Sequence, residues 1–173
     1  MANGILKVGD IQTSSGSGTI NIGQSGETVN FPSGVTVSGA GKVLQVVSAN
    51  DNTERSTSST SYVTASNTLS INITPSSTSS KIFITLTGNG YIETDNKFGK
   101  FTLYRDSTNI GVAAGLVNLY DISYTGSLAM SILDSPSSTS QLTYQMYFLS
   151  TGGNVIINPN GAKSTITAFE IGA

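Results

Sequence analysis

The chain has 173 residues, of which 37% are hydrophobic and only 10% charged, with a formal net charge of −2. This length holds one domain with an appendage or two small ones. The charge balance offers no basic footprint for nucleic acid and no polybasic patch for a membrane surface. The chain has no Cys and no His, which excludes disulfides, Ser-His-Asp and Cys-His nucleophilic sites, and zinc sites built from those residues.

Residues 1–42 form a stretch of their own. Glycines at 4, 9, 16, 18, 23, 26, 34, 39 and 41 cut it into pieces too short for a helix. Between them stand two-tooth alternations: Ile20 with Ile22, Val29 with Phe31, and Val35 with Val37. Strands this short are not stable as an isolated sheet. So few apolar side chains cannot offset the entropy of ordering the stretch. The arm either stays a flexible leader or buries its teeth against other chains. The regular strand–turn spacing favours burial, with three arms wound together and Ile20, Ile22, Val29, Phe31, Val35 and Val37 inward.

From Val43 to Ala173 the pattern is that of a compact antiparallel β-sandwich. Val43 to Val47 reads as the first strand and Ser48 to Ser61 as a polar loop. Apolar residues then alternate with polar ones at Leu69/Ile71/Ile73, Ile82/Ile84/Leu86, Phe101/Leu103, Leu128/Met130/Ile132 and Leu142/Tyr144/Met146/Phe148. Val155 to Ile157 and Thr165 to Ile171 complete the set, with Phe169 and Ile171 expected in the core. Several short strands at regular spacing, separated by polar turns, indicate a sandwich or barrel. The outward positions carry Ser and Thr, and Thr suits a pleated surface. Pro75-Ser76-Ser77-Thr78-Ser79 recurs as Pro136-Ser137-Ser138-Thr139-Ser140. Each copy joins two alternating strands, as equivalent connections do in a jelly roll.

Few residues carry chemistry. Glu93, Asp95 and Asn96 bring oxygen ligands together, as do Asp51 and Glu54, but neither set has the ligand count of a calcium loop. No metal or other cofactor is expected. No spacing among the ten acids singles out a carboxylate pair for glycoside hydrolysis, and no enzymatic activity is expected. Tyr91, Tyr120 and Tyr124 lie in segments that read as loops. They offer amphipathic faces for a glycan or protein, or else pack at an oligomer axis or over the core. Arg105 to Asn109 reads as a tight strand connection, its charges paired locally or across a subunit boundary.

The stretches Lys7 to Ile22, Pro32 to Gly34, Gly41 to Val47, Ile73 to Ile82, Leu103 to Gly111, Ser131 to Ser140 and Thr167 to Ala173 together resemble the short tail-fibre or virion structural proteins of tailed phages, of the marine phage and cyanophage type. The resemblance implies a homotrimer on the virion exterior, attached to other virion proteins through residues 1–42, with residues 43–173 as an outward knob. It implies a tail fibre or fibre tip in contact with the host surface, or a capsid decoration protein anchored by its arm. It brings no catalytic residues. The opening Met1-Ala2-Asn3-Gly4 has no signal-peptide pattern and no apolar run reaches membrane-spanning length. Synthesis in the host cytoplasm, with neither nucleic-acid binding nor membrane insertion, is the expectation.

Overall fold

A computed structural model describes Ile11, residues 42–120 and residues 125–172. The apolar teeth expected of the arm, Ile20 to Val37, lie outside the described residues. Backbone contacts divide the chain into Met1–Val37 and Ser38–Ala173, a few residues before the boundary expected at 42/43. All the elements below belong to the second unit.

The strands are β1 (Val43–Asp51), β2 (Arg55–Thr57), β3 (Val63–Thr64), β4 (Ser70–Ile73), β5 (Lys81–Ile92), β6 (Phe98–Arg105), β7 (Thr108–Asn109), β8 (Val117–Tyr120), β9 (Gly126–Asp134), β10 (Leu142–Ser150), β11 (Val155–Ile157) and β12 (Ser164–Ile171). A 3-10 turn, Pro159–Gly161, joins β11 to β12. Every pairing described is antiparallel.

Both sheets are four strand positions wide, because short strands share edges. β12 and β11 lie one after the other along one edge of β5, while β9 takes the opposite edge. β1 and β2 follow outside β12 and β11. In the second sheet, β4 and β3 share one edge of β10, and β7 and β8 share one edge of β6. Numbering the positions along the chain gives the order 1-8-3-6 in the first sheet and 2-7-4-5 in the second. The chain thus passes between the sheets as two Greek keys, the jelly roll that the strand pattern implies.

This topology sorts the connections to two ends. Lys42, the turns at 74–80, 106–107 and 135–141, and Gly172 lie at one end, the near end. The connections at 58–62, 93–97 and 151–154 lie at the other, the far end. The two PSSTS copies both fall at the near end, one leading from the second sheet to the first and the other returning. Their local chemistry repeats as well: Ser79 N–H donates to Ser77 Oγ at 3.2 Å, and Ser140 N–H donates to Ser138 Oγ at 3.0 Å.

The core lies between the sheets. Ile82, Ile84 and Leu86 of β5 face Phe101 and Leu103 of β6 and Tyr144, Met146 and Phe148 of β10, all essentially inaccessible to water. Three readings of the sequence are corrected. Ser48 to Ser61 is not one loop, because β1 continues to Asp51 and β2 follows it. The segments around Tyr91 and Tyr120 are strand, not loop, as β5 runs to Ile92 and β8 spans Val117–Tyr120. Phe169 and Ile171 are not core residues. Pairing puts Phe169 opposite Phe83, on the outward face, while Ile166, Ala168 and Glu170 point inward. Alternation alone leaves either phase of β12 readable, since Ile166 with Ala168 and Phe169 with Ile171 are both apolar rows.

That carboxylate is well held. Glu170 accepts hydrogen bonds from Gln45 Nε2 at 2.6 Å, Ser76 N–H at 2.7 Å and Ser76 Oγ at 2.6 Å. Burial opposes its ionisation, but these donors outweigh burial and hold its pKa down to about 2. Asp51 is similar. Burial raises its pKa, yet hydrogen bonds from the Ser66 hydroxyl, the Thr53 N–H and Arg55 bring it down to about 2. Both acids are structural: one ties the β4–β5 turn to the last strand, and the other ties β1 to the segment after β3.

Candidate functional site

The second sheet turns an aromatic face to solvent. Its inward positions are core, so alternation sends Phe98, Lys100, Thr102 and Tyr104 of β6 outward, with Thr143, Gln145, Tyr147 and Leu149 of β10 beside them. Tyr104 and Tyr147 stack with ring centroids 3.9 Å apart and planes 19° from parallel. Tyr62, from the β2–β3 connection, packs against Tyr104 at 6.2 Å and donates its hydroxyl to the Ala113 carbonyl at 3.3 Å. Burial, with Tyr104 alongside, raises the Tyr62 phenol above its ordinary pKa. Thr102 is covered by the segment after β7, and its hydroxyl donates to Asn109 Oδ1 at 2.9 Å.

Toward the far end this face finishes in a second aromatic pair. Phe98 and Tyr120 are opposite each other in the β6–β8 ladder, with centroids 4.5 Å apart. They are also the most open aromatics described, 40% and 46% exposed. Tyr120 donates its hydroxyl to Asn96 Oδ1 at 3.1 Å. Asn96 has φ 57, the left-handed conformation that Asn tolerates in a turn. Its turn is braced by the β10–β11 turn. Asn154 Nδ2 donates to Glu93 Oε2 at 2.8 Å, Glu93 N–H to the Asn154 carbonyl at 3.1 Å, and Phe98 N–H to Thr151 Oγ1 at 2.8 Å. Gly153 has φ +73, and a Cβ there would run into the Thr94 side chain, so the two turns fit only with glycine. The pair is therefore presented by braced turns rather than by a loose loop.

The expected tyrosines do not form one group. Tyr91 lies opposite Ile156 in the first sheet. Its neighbours Gly90 and Ile92 face the core, so its half-buried ring faces out from that sheet. Tyr120 faces out from the other sheet, and the thickness of the sandwich, about 10 Å between sheets, separates them. Tyr124 lies outside the described residues. Tyr62, Tyr104 and Tyr147 were not singled out in the sequence. Their signal was there: Tyr104 and Tyr147 occupy solvent-side positions where the alternation otherwise sets Thr and Gln.

Most of the acidic candidates are already engaged. Glu93 is held by Asn154, and Asn96 by Tyr120. Glu54 accepts from Asn160 N–H at 2.8 Å. No group of three or more His, Cys, Asp or Glu among the described residues is placed to hold a metal ion. Arg105 pairs neither within its turn nor at an exposed boundary. Its Nη1 donates to both carboxylate oxygens of Asp134, at 2.9 and 2.8 Å, joining β6 of one sheet to β9 of the other. Tyr144 donates its hydroxyl to the same carboxylate at 2.6 Å. Burial, and then this hydrogen bond, push the Tyr144 phenol far up.

No helix among the described residues is long and apolar enough to cross a membrane. What the outward aromatic face can do is bind. Flat rings offer stacking area at low entropy cost, and the adjoining amides and hydroxyls give direction.

Neither a family model nor a curated relative matches the sequence. Among solved structures, a mutant VP2 protein of infectious bursal disease virus in derived particles is similar at TM-score 0.46 and 11% identity, over 83% of this chain and 40% of that one. The Gx strain of the same virus gives TM-score 0.44 and 9% identity, over 84% of this chain and 44% of that one. A VP2 subviral particle gives 0.43 and 9%, over 84% and 43%. The chain spans about two fifths of the length of these proteins. Likeness at this level carries no argument about the chain, whose fold rests on its own strand pairings.

Proposed function

We propose that the chain is a non-enzymatic structural protein of a tailed-phage particle, a homotrimer carried on the virion exterior, whose knob contacts the host surface as a tail fibre or fibre tip. The single observation that carries this reading is the division of the jelly roll into two ends. The chain enters it at the near end, through Lys42 and Val43. The open aromatic pair Phe98–Tyr120 stands at the opposite end. A protein anchored through its arm would present that pair outward. The class of ligand is a surface glycan, recognised by stacking on the rings and by hydrogen bonds to neighbouring amides.

The test is Phe98→Ala with Tyr120→Ala in phage particles. Incorporation should stay normal, because both rings are outward, while adsorption to host cells falls about tenfold or more, the loss of two stacking contacts. Normal adsorption with normal incorporation overturns the adhesin reading and leaves the capsid decoration protein, for which particle stability would depend on residues 1–42 instead.

A further inference from the structure

The outward face of the first sheet carries a row of large apolar side chains that its strands do not need for their own core. Val46 of β1 is opposite Phe169 of β12, Phe169 is opposite Phe83 of β5, and Phe83 is opposite Leu133 of β9. The row thus crosses the full width of the sheet, one residue from each strand. Val46 is 54% exposed, Leu133 53% and Phe83 36%, and the rings of Phe83 and Phe169 are 6.2 Å apart. Val43, opposite Ile171 and also exposed, adds apolar surface at the near end. Together these side chains make a contiguous apolar patch, the kind of surface that often marks an interaction site. The next row toward the far end is all hydroxyl: Ser48, Thr167, Thr85 and Ser131.

We infer that this row is the contact face for a second copy of the same chain. Two features select that occupant. The first is charge. Lys81 is the one charged residue at the outward positions of β1, β5, β9 and β12. Equivalent charges that meet near a symmetry axis repel, so a self-contact favours a face that carries few of them. A partner recognised by opposite charge has only Lys81 to read here. The second is size. A standard interface buries about 800 Å² per partner around an apolar core. The row supplies such a core and the hydroxyl row beside it a polar margin. The inference goes beyond the host-contact reading and does not depend on it, since Phe98 and Tyr120 are on the other sheet.

The experiment is sedimentation velocity on the full chain and on Val46→Lys/Leu133→Lys, both side chains being more than half exposed. The wild-type chain should sediment as an oligomer, and the variant as a monomer with unchanged far-ultraviolet circular dichroism. A monomeric wild type, or a variant that keeps the wild-type oligomer, overturns the inference. A second measurement covers a variant that fails to fold. The chain has no Cys, so Leu133→Cys introduces a unique thiol with little change in shape. Its labelling by a soluble thiol reagent should be about tenfold slower in concentrated than in dilute protein, by mass action. Fast labelling at every concentration leaves the face uncovered and overturns the inference. Slow labelling at every concentration points to cover by the chain's own residues and does the same.

Discussion

At the scale of single residues, Glu170 and Asp51 decide how the fold meets acid. Both are buried carboxylates whose pKa is held to about 2, against ordinary values of 4.5 and 3.8. The unfolded chain therefore binds protons first as pH falls. The stabilisation is complete above the unfolded values and is lost progressively as pH drops from about 5 through the folded value. A shift of about two units corresponds to about 3 kcal/mol for each group. Glu170→Gln keeps the shape but not the charge that Gln45 and Ser76 address. Urea melts should show it less stable by about 2–3 kcal/mol at pH 7, with a shallower decline toward pH 3 than the wild type. Equal stability at pH 7 would show that the donors around Glu170 do not favour its charged form.

At the scale of elements, the last strand is the one the first sheet depends on. β12 lies between β1 and β5 and pairs with both along nearly its whole length. It brings Ile166 and Ala168 to the core and Glu170 to the β4–β5 turn. Removing residues 165–173 leaves β1 without a partner and opens the long edge of β5. The truncated chain should show no cooperative thermal transition, and its ring signals in near-ultraviolet circular dichroism should collapse. Removal of β7, two residues at an edge of β6, has no such reach. The contrast follows from position in the sheet, because both edges of a central strand carry ladder hydrogen bonds.

At the scale of the whole molecule, the first strand of the jelly roll closes against the last. Val43 pairs with Ile171, so this contact spans nearly the full described chain. The second position pairs with the seventh in the other sheet. Such pairings must close large loops before they contribute stability, which slows folding. Refolding followed by tyrosine fluorescence, the chain having no Trp, should take milliseconds to seconds or longer. A microsecond phase carrying the full amplitude would contradict a transition state that needs these distant strands.

The sequence by itself determined the fold class, the longer strands and most of the core. Leu69 to Ile73, Ile82 to Leu86 and Leu142 to Phe148 are read correctly from alternation, because a two-residue period places every second side chain between the sheets. The matching PSSTS turns mark equivalent connections for the same local reason: Pro ends a strand, and a Ser hydroxyl two residues later closes a turn. Only the tertiary structure decided which face of each strand looked inward where both were apolar. In β12 the phase follows from pairing with β5, which puts Phe169 outside and a satisfied Glu170 inside. It also decided which aromatic residues share a surface. Tyr91 and Tyr120 look alike in sequence and end on opposite sheets, while Tyr62, Tyr104 and Tyr147 meet across three separate segments. Neighbourhood on a sheet face is set by register between distant strands, and no local spacing in the chain encodes that register.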